Sequence, residues 1–185
     1  MEITKKYANS DSPYKERIKQ NDEEIAAIQY FGKKNMNIMK IGLDAIDGDE
    51  NGNKVKNIHN VPRKIRNIPD FIVIKEDKSI FLECKKCGDN FKPKMNELES
   101  YKWWNNLHPD GVLDVYFFIY NFDKIYIISV KSLIRLINEN DFKTGEYERN
   151  NEPYYIIPKQ DLVLTGQEPI YFTIKKEENQ DVENK

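Results

Sequence analysis

The sequence predicts a single layered domain of the α/β or α+β class, and three observations carry that expectation. Helix-like and strand-like hydrophobic periods follow one another in the order α, β, hairpin, α, β, β, α. Pro69, Pro93 and Pro109 stand at boundaries between those periods rather than inside them. The 185 residues are 39% hydrophobic and 12% aromatic, enough to build a core without covalent staples.

The first helix is expected after Asp11-Ser12-Pro13, with Ser12 as cap and Pro13 at the first helical position, and to run to Phe31 before Gly32. Glu24, Ala27, Ile28 and Phe31 follow the spacing of one helical face, so a carboxylate lies on or beside an apolar stripe. Met36 to Leu43 reads as a strand. Asp44 to Pro69 is a polar excursion, rich in Gly and Asn and too long for a simple turn. Phe71 to Ile74 and Ser79 to Lys85 are two strands joined by Lys75-Glu76-Asp77-Lys78, a hairpin. After Pro93, Met95 to Leu107 reads as a helix with Leu98, Tyr101 and Trp104 inward, ended by His108-Pro109-Asp110-Gly111. Val112 to Tyr120 and Lys124 to Val130 are strands rich in β-branched and aromatic residues, and Ser132 to Asn138 is a short helix. Tyr154 to Ile157 and Ile170 to Ile174 are short additional strands. Residues 1–12 are expected to be a flexible N-terminus, 13–174 one domain with its core in 13–138, and 175–185 a disordered charged tail.

Composition excludes several classes. With 29 Lys+Arg against 31 Asp+Glu, the formal net charge of -2 argues against a histone-like coat for duplex nucleic acid. Charge is nonetheless uneven. Asn51 to Pro69 holds no acid but carries Lys54, Lys56, Arg63, Lys64 and Arg66, and Lys85, Lys86, Lys92 and Lys94 follow. That is either a focused surface for nucleic acid or a solvated loop. No apolar run reaches the roughly 20 residues of a membrane span, so no membrane role is expected. Two cysteines three residues apart and a start without a signal segment point to a reducing, cytoplasmic compartment. There is no Gly-rich phosphate loop for an ATP-driven motor, and two histidines leave little scope for a Ser-His hydrolase.

The chemistry is concentrated at Pro69-Asp70 and Glu83-Cys84-Lys85. Strand alternation puts Glu83 and Lys85 on one side, and Asp70 opens the partner strand, so the hairpin gathers two carboxylates and an ammonium. Such a group is tolerated under helices only when paired, hydrated or bound to a cation. Asp70, Glu83 and the main-chain carbonyl of Cys84 form a hard-oxygen set suited to Mg²⁺ or Mn²⁺. The plainer alternative is a Glu83–Lys85 salt bridge on an exposed strand face. Other motifs carry less. Cys84 and Cys87 form a CxxC, but Cys84 faces away from Glu83, and His59 and His108 fit no common zinc spacing. Asp47 to Gly52 opens like a calcium loop whose twelfth position is Ile58 instead of Glu. Trp103 is the candidate for base stacking, since Tyr101 and Trp104 share the inward face.

These residues resemble the PD-(D/E)xK, or restriction-endonuclease-like, nuclease superfamily. The signature reads Pro69-Asp70, twelve residues, then Glu83-Cys84-Lys85, with a helix before it and a helix and an apolar strand after it, over residues 13 to 138. The resemblance implies an α/β core with a mixed central sheet flanked by helices, in αβββαβ order. It implies a divalent-metal-dependent nuclease: Asp70 and Glu83 holding Mg²⁺ or Mn²⁺ with the Cys84 carbonyl, Lys85 acting on the attacking water, and Glu24 supplying an additional acid. DNA is the expected partner, met by Lys54, Lys56, Arg63, Lys64, Arg66, Lys86 and Lys92. Members that cut two strands are often homodimers, though this chain shows no seam. Where some members carry Gln and Tyr on the following helix, Glu97 here stands four residues before Tyr101. A catalytically silent nucleic-acid-binding module and an RNA-directed nuclease are the alternative readings.

Overall fold

The computed structural model describes residues 22–42, 61–75, 78–107, 113–122, 124–165 and 170–171. The expected terminal segments, the cap at Ser12, the candidate calcium loop, both histidines, Lys54 and Lys56 lie outside them. A six-stranded sheet forms the middle layer, in the order β1 (Asn37–Lys40), β2 (Phe71–Lys75), β3 (Lys78–Lys86), β5 (Leu113–Asn121), β6 (Lys124–Ser129) and β10 (Ile170–Tyr171). β3 and β5 run parallel and every other neighbouring pair antiparallel, so the sheet is mixed. Helix α1 (Asp22–Lys33) covers one face, and α3 (Met95–Leu107) and α4 (Val130–Glu139) lie on the other. The α/β class and a mixed sheet between helices, as expected, are therefore the architecture observed.

β5 explains why there are two cores. Val115, Phe117 and Ile119 enter the layer shared with Leu98, Tyr101 and Leu133, whereas Phe118 and Tyr120 enter the layer under Ala27, Tyr30 and Phe31. A strand buried on both faces reads as a continuous apolar run, as Val115 to Tyr120 does. Cys84 belongs to the α1 layer and Cys87 to the other, both as free thiols, so the two members of the CxxC are packed into different layers.

α1 departs from the expected phase. Its buried residues are Ala26, Ala27, Tyr30 and Phe31, while Ile28 is 47% exposed. The apolar stripe is rotated toward Tyr30, which leaves Glu24 on its border. The helix passes Gly32 and ends at Lys33, because the left-handed residue that turns the chain is Asn35 (φ 55°), an Asn being tolerated there. α4 starts at Val130 rather than Ser132, since the Ser129 hydroxyl accepts the Ser132 N–H at 3.1 Å and caps the helix directly from β6. The polar excursion contains a short helix, α2 (Arg63–Arg66). The C-terminal part adds short pieces, and the strand expected at Tyr154 to Ile157 is divided between two of them: β4 (Asn90–Phe91) pairs with β9 (Ile157–Pro158), β7 (Thr144–Glu146) pairs with β8 (Pro153–Tyr155), and a 3-10 turn spans Lys159–Thr165. Ile157 and Leu162 pack into the α3 layer, so these pieces share the main core.

The loop leaving β3 is fixed from β5. The buried Asn121 amide donates to the Cys87 carbonyl at 2.9 Å and the Gly88 carbonyl at 2.8 Å. Asn121→Ala leaves both carbonyls short of a donor and is expected to cost about 2 kcal/mol. Urea unfolding checks this as a lower midpoint with an unchanged slope.

Candidate active site

β3 outruns its neighbour. It pairs with β5 as far as Lys86, opposite Tyr120, but with β2 only as far as Leu82, opposite Phe71. Beyond Leu82 the β2 side of the strand has no partner strand, and Asp70 fills the gap: its Oδ2 accepts the Cys84 N–H at 2.7 Å. Asp70 is itself anchored, its carbonyl accepting the N–H groups of Ile41 at 2.8 Å and Gly42 at 3.1 Å. In an extended residue the N–H and C=O point to the same edge, so the Cys84 carbonyl also lies on the side where Asp70 sits.

Glu83 projects toward α3 and is buried. The Lys85 ammonium, two residues on and on the same face, lies 2.7 Å from Glu83 Oε1. α3 adds two groups one turn apart: the Tyr101 hydroxyl donates to Glu83, and Glu97 Oε2 lies 3.3 Å from the Lys85 ammonium. That Glu97 oxygen is buried without a well-formed hydrogen bond. Glu97 is absent from the residues that the sequence pattern selects, although its position one turn before an inward Tyr was the available signal. Lys94 lies 3.7 Å from Glu97 Oε1 and 2.9 Å from Glu152, which links the cluster to the segment before β8.

Electrostatics follow from this crowding. Desolvation, then the Glu83 charge, holds the Asp70 carboxyl well above the ordinary carboxylate range, against the opposing Cys84 N–H and Lys85. Desolvation also raises Glu83, with Lys85 opposing and Glu97 adding. For Lys85, burial favours the neutral amine, but Glu83 and Glu97 outweigh it and keep the group charged. Burial pushes up the Tyr101 phenol, with Glu83 and Glu97 adding, and the Cys84 thiol, with Asp70 and Glu83 adding, which favours the protonated form of both.

The remaining expected residues are placed as follows. Glu24 is ion-paired with Lys40 at 2.8 Å, and its charge reaches Asp70, raising it further. Arg63, Lys64 and Arg66 form α2, four residues before Asp70; the Lys64 carbonyl accepts the Trp104 indole N–H at 3.0 Å, and its ammonium lies 5.3 Å from the Trp103 ring centre. Trp103 and Trp104 are both half-buried, with Trp104 packed edge-on against Phe81 at 5.5 Å. Arg66 Nε is buried without an acceptor among the described residues. Lys86 pairs with Asp22 at 3.0 Å, and Lys92 is exposed beside Tyr154.

A divalent cation fits this donor set in one particular way. Among the described residues, no three His, Cys, Asp or Glu side chains converge as a ready-made cage. What is present is a pair of desolvated carboxylates that repel each other, beside a strand carbonyl on the uncovered edge of β3. That suits Mg²⁺, which is held by one or two carboxylates and keeps water for a substrate phosphate.

No family model matches the chain, and no curated protein matches it. Among solved structures, the chain is similar to Hjc, a Holliday junction resolvase from the archaeal hyperthermophile Archaeoglobus fulgidus. The two share 9% identity at a TM-score of 0.45, over 75% of this chain and 85% of that one. Among the described residues no helix is long and apolar enough to cross a membrane.

The raised Asp70 carboxyl sets a sign for stability. An acid raised on folding binds its proton more tightly in the native state, so its contribution falls as pH rises from the unfolded value of 3.8 through the native one. Above that window the penalty is fully present. Asp70→Asn, which can still accept the Cys84 N–H, is therefore expected to be more stable than the parent at pH 7 with EDTA present, and to lack part of its loss between pH 4 and neutrality. Urea midpoints measured across that range decide it; a less stable variant at pH 7 would contradict the assigned burial cost.

Proposed function

We propose that this protein is a divalent-metal-dependent nuclease that hydrolyses phosphodiester bonds in DNA. The observation that carries this reading is the junction of Asp70 with Glu83 and Lys85 where β3 outruns β2: two desolvated carboxylates, one on β3 and one just before β2, with an ammonium 2.7 Å from one of them. The match of Pro69-Asp70 and Glu83-Cys84-Lys85 to the PD-(D/E)xK pattern supports it. Asp70, Glu83 and the Cys84 carbonyl would hold Mg²⁺ or Mn²⁺, and Glu24 would hold a second cation or its water. When bound, the cation makes a water acidic enough to attack near neutral pH and offsets charge on the phosphate.

The chain's own residues do the rest. The Cys84 N–H and the β1 exit fix Asp70, and the Tyr101 hydroxyl fixes Glu83. Lys85, kept charged by Glu83 and Glu97, donates to the attacking water or a phosphate oxygen. α2 presents Arg63, Lys64 and Arg66 to the nucleic acid backbone near Asp70. Cutting both strands in a single binding event would take two sites, which a homodimer would supply.

A second reading has its own support. The lack of a three-residue cage among the described residues favours a catalytically silent nucleic-acid-binding module. Incubation with duplex, single-stranded, branched and RNA substrates in Mg²⁺, Mn²⁺ or EDTA separates the two. Metal-dependent cutting of a DNA form is expected; binding without cutting in any metal would leave the silent module.

Asp70→Ala and Glu83→Ala are each expected to lower kcat/KM by at least about 100-fold. Lys85→Met should reduce kcat far more than it raises KM, since its ammonium serves the developing charge. Retained turnover in both acid variants would overturn the site. Neutralising Arg63, Lys64 and Arg66 together should weaken duplex binding and flatten its salt dependence by about 0.9 of slope per lost phosphate contact. Titration over a range of salt concentrations measures that slope, and an unchanged slope would remove α2 from the interface.

A further inference from the structure

The segment between α4 and the 3-10 turn has no part in the chemistry above, yet it is built against the site. The β7–β8 hairpin docks on the start of α3: Glu152 takes Lys94 at 2.9 Å and the Asn96 amide at 2.9 Å, and the Tyr155 N–H donates to the Pro93 carbonyl at 3.2 Å. Tyr147, which follows β7, is fixed at both ends. Its ring packs on Tyr154 at 4.5 Å, and its hydroxyl donates to the Lys92 carbonyl at 3.2 Å. Tyr154 in turn lies across Gly145 so closely that an added Cβ there would meet its ring at 2.8 Å. A groove of about 420 Å³ opens beside this ring, lined by Tyr147, Lys85, Lys86, Lys92 and the Cys87–Asn90 turn. Lys85 is thus shared between the groove and the carboxylate cluster. The one carboxylate on the lining, Asp89, is turned to solvent and paired with Lys159 at 3.2 Å.

Of the three lysines, Lys85 is held by Glu83 and Glu97 and Lys86 by Asp22, so the exposed Lys92 and the preorganised Tyr147 ring are the elements that can hold a phosphate and a base together here. A paired base keeps its face inside the duplex stack, so only an unpaired nucleotide offers one to Tyr147. We infer that this groove is a nucleotide subsite, with Tyr147 stacking on an unpaired base and Lys92 holding its phosphate, so that the substrate is a nucleic acid with an unpaired nucleotide beside the phosphate at Lys85. The inference rests on the nuclease reading for the identity of that phosphate. The Tyr147 phenol is raised by burial, with Lys94, Glu97 and Lys85 all acting on it, in keeping with its closeness to the cluster.

The test uses the full chain in Ca²⁺, with single-stranded oligonucleotides carrying one 2-aminopurine and with the fully paired duplex of the same sequence. The single strand is expected to bind at least tenfold more tightly than the duplex, with 2-aminopurine fluorescence quenched on binding. Tyr147→Ala should weaken single-strand binding about 5- to 100-fold and abolish the quenching. Tyr147→Phe, which keeps the ring, should restore both, and Tyr147→Leu, which keeps apolar bulk, should not. Equal binding of the two forms, or quenching and affinity unchanged in Tyr147→Ala, overturns the subsite. If paired DNA is cut in Mg²⁺ while Tyr147→Ala binds like the parent, the subsite alone fails. If stacking depends on Tyr147 but no metal supports cutting, the nuclease reading alone fails.

Discussion

A strand that outruns its neighbour is the constraint on which this structure turns. Every buried N–H must find an acceptor, and the Cys84 N–H faces an edge that β2 no longer covers. The Asp70 carboxylate supplies that acceptor, which draws an acid to the end of β2 and holds it at the lip of the sheet. Had β2 continued, Asp70 and Glu83 would face each other in a ladder, where two like charges opposite one another destabilise. Ending the strand one residue earlier turns this conflict into a site with a hydrogen-bonded floor.

The surrounding elements follow from that edge. β5 keeps β3 straight on its other side, so alternation sends Glu83 and Lys85 to the α3 face and Cys84 to the α1 face. α3 meets the charged face with Glu97 and Tyr101, and α1 brings Glu24, tied to Lys40, toward Asp70. Asn121 closes the turn after β3, which becomes the floor of the groove walled by Tyr147. Carboxylates, lysines and aromatic rings thus lie on a continuous path from the sheet end to the hairpin.

What could be read in the sequence divides along physical lines. Elements longer than a turn with a clean period were legible: Met95 to Leu107 lies between Pro93 and His108-Pro109, and α3 has those same ends. Asp70, Glu83 and Lys85 were legible as neighbours because strand alternation and one hairpin fix their relation locally. Glu97 was legible only as standing one turn before the inward Tyr101, because its meeting with Lys85 depends on α3 returning over β3, a contact between distant segments. Of the β7–β8 hairpin only part of β8, within Tyr154 to Ile157, was expected, and for another reason. Its strands have three residues each, and Tyr154 is held by a cross-strand glycine rather than by an alternating pattern. The phase of α1 was misread by treating Ile28 as inward, when Ala26 and Tyr30 pack there instead.

The energetics of the cluster bear on why it exists. A Glu83–Lys85 pair taken alone can be a structural ion pair, and such pairs are often replaceable by apolar residues at no loss. The same account fails for Asp70 and Glu97. Asp70 adds a second desolvated acid next to the first, and the Glu97 oxygen facing Lys85 is buried without a proper hydrogen bond. Both raise the cost of the folded state without completing a closed network, and a fold under selection for stability alone would shed them. On the nuclease reading, acids crowded at an open sheet end are what a cation would screen before a phosphate could approach them.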